Sequence, residues 1–175
     1  MVKQIATRNY GANVVLHGDN YDQAYLKARE LEKDTGAVFV HPFEDPLIIA
    51  GQGTVGLEIC DELKDVESIV VPIGGGGLIS GVAVAAKAIN PKIKIYGIVA
   101  ETHPGMYCLF KSKSLPPADG AVSIPDGIAV KNPSPLMHKE FIAKYVDDVF
   151  TVTENQIAEA IAFLLERTKL VVEGS

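Results

Sequence analysis

The middle of the chain alternates between apolar runs of strand length and one apolar run of helix length. Residues 69–73 and 93–99 are almost continuously apolar, and residues 78–89 between them are apolar over three helical turns without a proline. A strand, a helix and a second strand in this order predict a parallel βαβ unit with a right-handed crossover. We therefore expect an α/β fold: a mostly parallel open sheet in three layers, with helices on both faces.

The pattern outside this unit predicts four further helices. A helix is expected where apolar residues recur every three or four positions and where a cap or a glycine marks an end. The first expected helix covers residues 2–10 and ends at Gly11, and the second covers residues 21–31, with the capping pair Asn20 and Gln23 at its start and Gly36 after its end. The third covers residues 47–63, and the fourth follows the capping pair Thr153 and Gln156. The buried side of the last helix is predicted to be Ile157, Ile161, Leu164, Leu165 and Thr168.

Short apolar segments predict additional buried strands at residues 14–16, 37–40 and 170–172. Residues 41–46 carry two prolines, typical of a turn, and favour a domain boundary there. We expect residues 1–46 to be part of a smaller domain. Residues 47–175 are then an α/β domain, and its final strand lacks a covering element, which indicates a C-terminal truncation.

Composition narrows the class of protein. Among 175 residues, 22 acids stand against 16 scattered bases, which disfavours nucleic acid as a partner. No apolar run is long enough for a membrane span and the start lacks a signal-peptide core, so a cytoplasmic protein is expected. Cys60, Cys108 and the isolated histidines lack ligand spacing, and we predict no metal site.

Four consecutive glycines connect the strand at residues 69–73 to the helix that follows. Glycine lets successive backbone N–H groups turn toward one anion, and the first N–H groups of a helix lack internal partners and carry the positive end of the helix dipole. The loop therefore predicts a phosphate-binding site formed by Gly74, Gly75, Gly76, Gly77 and Leu78.

Two other interpretations remain open at this point. A flexible connection is disfavoured because both flanks are apolar. A dinucleotide site is the stronger alternative, since Glu101 ends the next predicted strand where a ribose-binding acid would lie. The glycine frames, however, close on Ile79 and Ser80 instead of glycine or alanine, and the Walker pattern is absent.

Several long motifs in order resemble the serine/threonine dehydratase family of fold-type II pyridoxal-phosphate enzymes, and are most similar to threonine dehydratases (threonine ammonia-lyases). These motifs are residues 6–12, 39–43, 49–54, 72–81, 126–130 and 166–174. The resemblance implies the large domain of such an enzyme plus part of its small domain. It also implies that Gly74 to Leu78 bind the phosphate of pyridoxal 5'-phosphate and that Gly127 and Glu173 lie beside the cofactor ring.

The resemblance covers a central segment only. The family's Ser-x-Lys-x-Arg-Gly-Ala stretch, with the Schiff-base lysine, and its Ser-x-Gly-Asn-His stretch do not occur in this sequence. We expect no catalytic residue in the chain itself, which is then inactive alone with weak or phosphate-only binding, while the complete enzyme would deaminate L-threonine to 2-oxobutanoate and ammonia. The alternatives are a non-catalytic phosphate- or nucleotide-binding module and a folding fragment. The unpaired strands also predict a homo-oligomer, with exchange of an element between subunits as one route.

Overall fold

The computed structural model describes residues 2–18, 21–116 and 122–175. Contacts divide the chain into two units, Met1–Val40 and His41–Ser175. The first contains helices α1 (Val2–Asn9) and α2 (Tyr21–Thr35). Both end beside the predicted glycines, and Gly36 after α2 has φ +71°, a left-handed conformation that suits glycine. The predicted pair Asn20 and Gln23 lies partly outside the described residues.

The second unit is built on a parallel sheet of three strands in the order β1, β2, β3. Val71, Gly97 and Val149 are partners across the three strands. The predicted βαβ unit is confirmed, and each predicted end lies within one residue of the observed one. The helices and strands of the second unit, His41–Ser175, are α3 (Pro46–Glu62), β1 (Ser68–Pro72), α4 (Gly77–Ile89), β2 (Lys94–Ala100), α5 (Gly105–Phe110), α6 (Pro135–Met137), α7 (Ala143–Tyr145), β3 (Asp148–Val152) and α8 (Glu154–Phe163).

Helices cover both faces of the sheet, as predicted. On one face α4 packs against β1, and α3 packs in turn on α4. A Cβ added at Gly97 would lie 3.1 Å from Ile79 of α4, which shows how closely strand and helix approach. On the other face Lys111, just after α5, forms an ion pair with Asp148 and lies over the ring of Phe150.

The core lies between the sheet and α4. Its fully buried side chains come from the inward faces of β2 and β3, from the apolar side of α4 and from residues 137–142. The buried members with no more than 1% exposure are Ile79, Val82, Ala83, Ala86, Ile95, Val99, Met137, Ile142 and Val149.

Three predicted strands are wrong. Residues 14–16, 37–40 and 170–172 are all described, and none of them pairs with a strand in the described part of the chain. Val38 and Val171 are each 89% exposed, so these apolar segments are not buried either. A β-strand forms only where a neighbouring strand accepts and donates its backbone hydrogen bonds, and a short apolar run in the sequence does not show that such a neighbour exists.

The C-terminal helix is correct in position but not in burial. Thr153 and Gln156 form the predicted capping box at the start of α8. No residue of α8 is buried. Of the predicted buried side, Ile157, Ile161 and Leu164 are half-buried, whereas Leu165 and Thr168 are exposed, so the predicted burial is only partly correct. The helix is amphipathic in sequence, but within the described residues its apolar stripe is not packed into the core. Strand β3, which precedes this helix, was not among the predicted elements.

Candidate phosphate-binding site

The glycine loop follows β1 and begins α4. Gly76 is the N-cap of the helix with φ +99°, in the left-handed region, and no side chain in the described part of the chain caps this helix end. Ser80 is the first residue of the helix whose N–H is bonded, to the carbonyl of Gly76 at 3.1 Å. Among the described residues, no carbonyl or side chain accepts a hydrogen bond from the N–H groups of residues 74–79.

Several N–H groups without acceptors lie together here, and such a group of donors can bind an anion. Helix-initial N–H groups without acceptors carry the positive end of the helix dipole and can donate together to one group of oxygens. A buried N–H without an acceptor is unfavourable, and Gly76 and Gly77 are buried. A bound oxyanion would supply the missing acceptors.

Phe43 forms one side of the loop. A Cβ added at Gly75 would lie 2.2 Å from Cδ1 of Phe43, and one added at Gly77 would lie 3.1 Å from its Cα. The turn that holds Phe43 is fixed by His41, whose Nδ1 accepts hydrogen bonds from the N–H groups of Phe43 at 3.2 Å and Glu44 at 2.9 Å. At Gly75 the aromatic ring occupies the space that a Cβ would need, and at Gly77 a Cβ would press closely on the Cβ and backbone of Phe43.

The short 3₁₀ turn Asp126–Ile128 forms another side of the loop. A Cβ at Gly74 would lie 3.1 Å from the Cα of Ile128. The N–H of Gly127 donates to Oγ of Ser175 at 3.0 Å. The structure thus brings the turn that contains Gly127 next to the glycine loop, although the two are far apart in sequence.

The C-terminal segment reaches the same turn. A Cβ at Gly174 would lie 3.0 Å from the carbonyl oxygen of Ile124, two residues before the turn. Glu173 precedes this contact and is exposed. The predicted residues from three distant parts of the sequence therefore lie in one region, in which Gly76 and Gly77 are buried and Gly127 and Glu173 are exposed.

A glutamate ties the same segment to the end of the sheet. Glu154, the first residue of α8, accepts hydrogen bonds from Oγ1 of Thr102 at 2.8 Å, Oγ of Ser123 at 2.7 Å and the N–H of Ile124 at 2.8 Å. Burial works to raise the pKa of Glu154, but these three hydrogen bonds outweigh it and hold the pKa below its usual value. The carboxylate is thus ionised at neutral pH.

The sequence did not predict a role for His41, Phe43, Ile128 or Glu154. His41 and Phe43 lie in a proline-bounded turn that α3 and β1 separate from the glycine loop in sequence, so their contact exists only in the folded chain. Glu154 was visible as an acid next to a capping box, but its partners come from distant positions. No helix in the described ranges has both the length and the apolarity to cross a membrane.

The fold and this site define a class: a parallel α/β domain with a glycine loop at a helix N-terminus, at the carboxyl end of a strand. In open parallel sheets this is where ligands bind, and the cradle fits a phosphate group because its N–H groups lack acceptors. A model of the family described as pyridoxal-phosphate dependent enzyme matches residues 2–175. The chain belongs to this family, and the match confirms both the resemblance and pyridoxal phosphate as the cofactor of the complete enzyme.

Within this family, the chain is similar to proteins named threonine ammonia-lyase, threonine deaminase and serine racemase. The chain is 52% identical to an L-threonine ammonia-lyase of Thermotoga maritima, over 97% of this chain and 42% of that protein. Among solved structures it is similar to maize serine racemase, with TM-score 0.91, 31% identity, and coverage of 99% of this chain and 54% of the other. A threonine deaminase from T.th. gives TM-score 0.89, 34% identity, and coverage of 99% and 58%. The chain spans about half the length of the curated relatives it matches.

Proposed function

We propose that the backbone N–H groups of residues 74–78 bind the phosphate of pyridoxal phosphate, and that Gly127 and Glu173 lie beside its ring. The observation that supports this most is the run of N–H groups without acceptors at the start of α4. The turn Asp126–Ile128 packs against Gly74, so a cofactor anchored at the loop would meet this turn.

We further propose that the complete protein converts L-threonine to 2-oxobutanoate and ammonia. The support is the activity for which the relatives at 52% and 43% identity are named. When bound, pyridoxal phosphate withdraws electrons from the Cα of an amino acid. The residues of this chain would hold the phosphate, orient the ring and form one wall of the site, while the lysine that binds the cofactor covalently lies in a motif that this sequence lacks.

The proposal has three further parts. The chain of 175 residues is inactive by itself. Residues 1–46 belong to the small domain and residues 47–175 to the cofactor domain. The complete protein is a cytoplasmic homo-oligomer; sedimentation across a range of concentrations tests its assembly, and a strictly monomeric species would contradict this part.

A ligand pair that differs only in the phosphate tests the phosphate site directly. Calorimetric titration of the chain with pyridoxal phosphate and with pyridoxal should show binding of the first and much weaker binding of the second, because the loop recognises the phosphate. Equal affinities would contradict the proposal. A threonine assay for 2-oxobutanoate on the same sample tests inactivity, and product formation by the pure chain would refute that part.

A nucleotide-binding module is the second candidate. Glu101 follows β2, at the same edge of the sheet as the glycine loop, and its side chain is exposed. An acid in this place could accept hydrogen bonds from a ribose. Titration with NAD separates the two candidates: tight binding that Glu101→Gln abolishes would favour a nucleotide over pyridoxal phosphate.

A further inference from the structure

The carboxylate of Glu154 joins three segments that are separate in sequence. Its Oε1 accepts from the hydroxyls of Thr102 and Ser123, and its Oε2 accepts from the N–H of Ile124. The hydroxyl of Thr102 also lies 3.2 Å from that of Ser123, so the three side chains form one connected network.

Two sides of this network are rigid. Thr102 comes two residues after β2, and Glu154 comes two residues after β3, and these neighbouring parallel strands end at the same edge of the sheet. The carboxylate also lies in the first turn of α8, where the helix dipole favours a negative charge. Residues 122–130 have no strand or long helix of their own, and Glu154 connects them to this fixed edge.

The same segment reaches the glycine loop. Ile128 follows Ile124 by four residues and packs on Gly74. A Cβ added at Gly74 would lie only 3.1 Å from the Cα of Ile128 and 3.4 Å from Cγ2 of Val130. A displacement of residues 122–130 would therefore remove the packing on Gly74 and shift Gly127. The hydrogen bonds of Glu154 and the wall of the phosphate site belong to one short stretch of chain.

We infer that Glu154 is a positioning residue for the cofactor site: it holds residues 122–130 against the glycine loop and so sets the place of the wall that meets the cofactor ring. This inference rests on the proposed function, since the ring is placed by the proposal that the loop binds the phosphate. Glu154 itself does not touch the cofactor in this account. Its effect should appear in the affinity for the ring and much less in the affinity for phosphate alone.

The variant Glu154→Ala tests this in the full chain. Alanine has no side-chain oxygen, so the hydroxyls of Thr102 and Ser123 and the N–H of Ile124 all lose their acceptor. Glu154→Asp keeps both oxygens and the charge on a shorter stem and should restore part of the effect. Glu159→Ala, at an exposed glutamate of the same helix, is the matched control.

Two measurements read the result. Amide hydrogen exchange of Ile124, resolved by NMR in the unliganded chain, should be at least about tenfold faster in Glu154→Ala than in Glu159→Ala, because its acceptor is lost. The dissociation constant for pyridoxal phosphate should rise at least about tenfold, because binding must then order a segment that a hydrogen bond to a charged group no longer holds, while that for inorganic phosphate changes less than about twofold.

The possible outcomes separate this inference from the proposed function. Unchanged exchange in both Glu154 variants, or faster exchange with unchanged affinity for pyridoxal phosphate, would overturn the positioning role. Equal weakening of both ligands would also overturn it, since that is what a general loss of structure produces. If the wild-type chain binds neither ligand, the proposed function fails, and the exchange data still show whether Glu154 anchors the segment.

Discussion

A methyl group at Gly75 should distort the glycine loop through a clash with Phe43. The added Cβ would lie 2.2 Å from Cδ1, 2.4 Å from Cγ and 2.5 Å from Cε1 of the ring. Carbon atoms in favourable contact are about 3.5 to 4 Å apart, so the ring or the loop must move by more than about 1 Å.

The surroundings oppose that movement. Phe43 follows His41, whose ring nitrogen fixes the turn by two hydrogen bonds, and its ring lies edge-on to the His41 ring at 4.7 Å. Overpacking of a fixed site costs typically about 1 to 3 kcal/mol. If the loop moves instead of the ring, the N–H groups lose their common direction, and each 1.4 kcal/mol lost from binding is about a tenfold loss of affinity.

Gly51→Ala is the matched control for Gly75→Ala. Gly51 lies within α3, and a Cβ there meets no atom within 4 Å, so alanine should stabilise the helix by about 0.5 to 1 kcal/mol. We expect Gly75→Ala to lower the free energy of unfolding by about 1 to 3 kcal/mol in urea titration and to weaken binding of pyridoxal phosphate at least about tenfold in calorimetry. A Gly75→Ala chain that binds pyridoxal phosphate as tightly as Gly51→Ala does would refute the reasoning.

Two further predictions concern the scaffold of the site. Asp147 accepts hydrogen bonds from Lys87 at 2.6 Å, from Lys94 at 2.8 Å and from the N–H of Ile95 at 2.9 Å. Burial of this carboxylate works to raise its pKa, but the three hydrogen bonds outweigh burial and hold the pKa well below its usual value. Asp147→Asn should therefore cost about 1 to 3 kcal/mol at pH 7, a difference that is complete above the unfolded-state pKa of about 4 and shrinks as the pH falls below it; an unfolding difference equal at pH 7 and pH 3 would contradict this. Ser80 has a buried hydroxyl without a hydrogen-bond partner among the described residues. Ser80→Ala should therefore leave the free energy of unfolding in urea unchanged or raise it by up to about 1 kcal/mol. A decrease of more than about 1 kcal/mol would mean that the hydroxyl has a hydrogen-bond partner in solution and would contradict this prediction.

The elements predicted correctly are those with strong local signals. The run of residues 69–89 combines an apolar strand, a glycine loop and an apolar helix, and each signal agrees with the next. The capping pair Thr153 and Gln156 is likewise a local device and is present. The sequence alone could therefore locate the glycine loop at the start of α4.

The errors come from non-local requirements. Apolar residues at 37–40 and 170–172 suggested strands, but a strand forms only where a partner is available. In contrast, β3 was not predicted, because Asp148 and Thr151 interrupt its apolar pattern, yet it pairs with β2 along its whole length. The contacts of Phe43 with Gly75 and of Ile128 with Gly74 also depend on the tertiary fold, and no local pattern announces them.

The central claim is that the N–H groups at the start of α4 receive the phosphate of pyridoxal phosphate. The most direct measurement is a ¹⁵N-edited NMR titration of the chain with pyridoxal phosphate, followed by inorganic phosphate and pyridoxal as partial ligands. The account predicts that both phosphate-bearing ligands shift the amide resonances of residues 74–78 more than any others, and that pyridoxal alone does not. Unchanged resonances at these positions, with binding visible elsewhere in the chain, would contradict it.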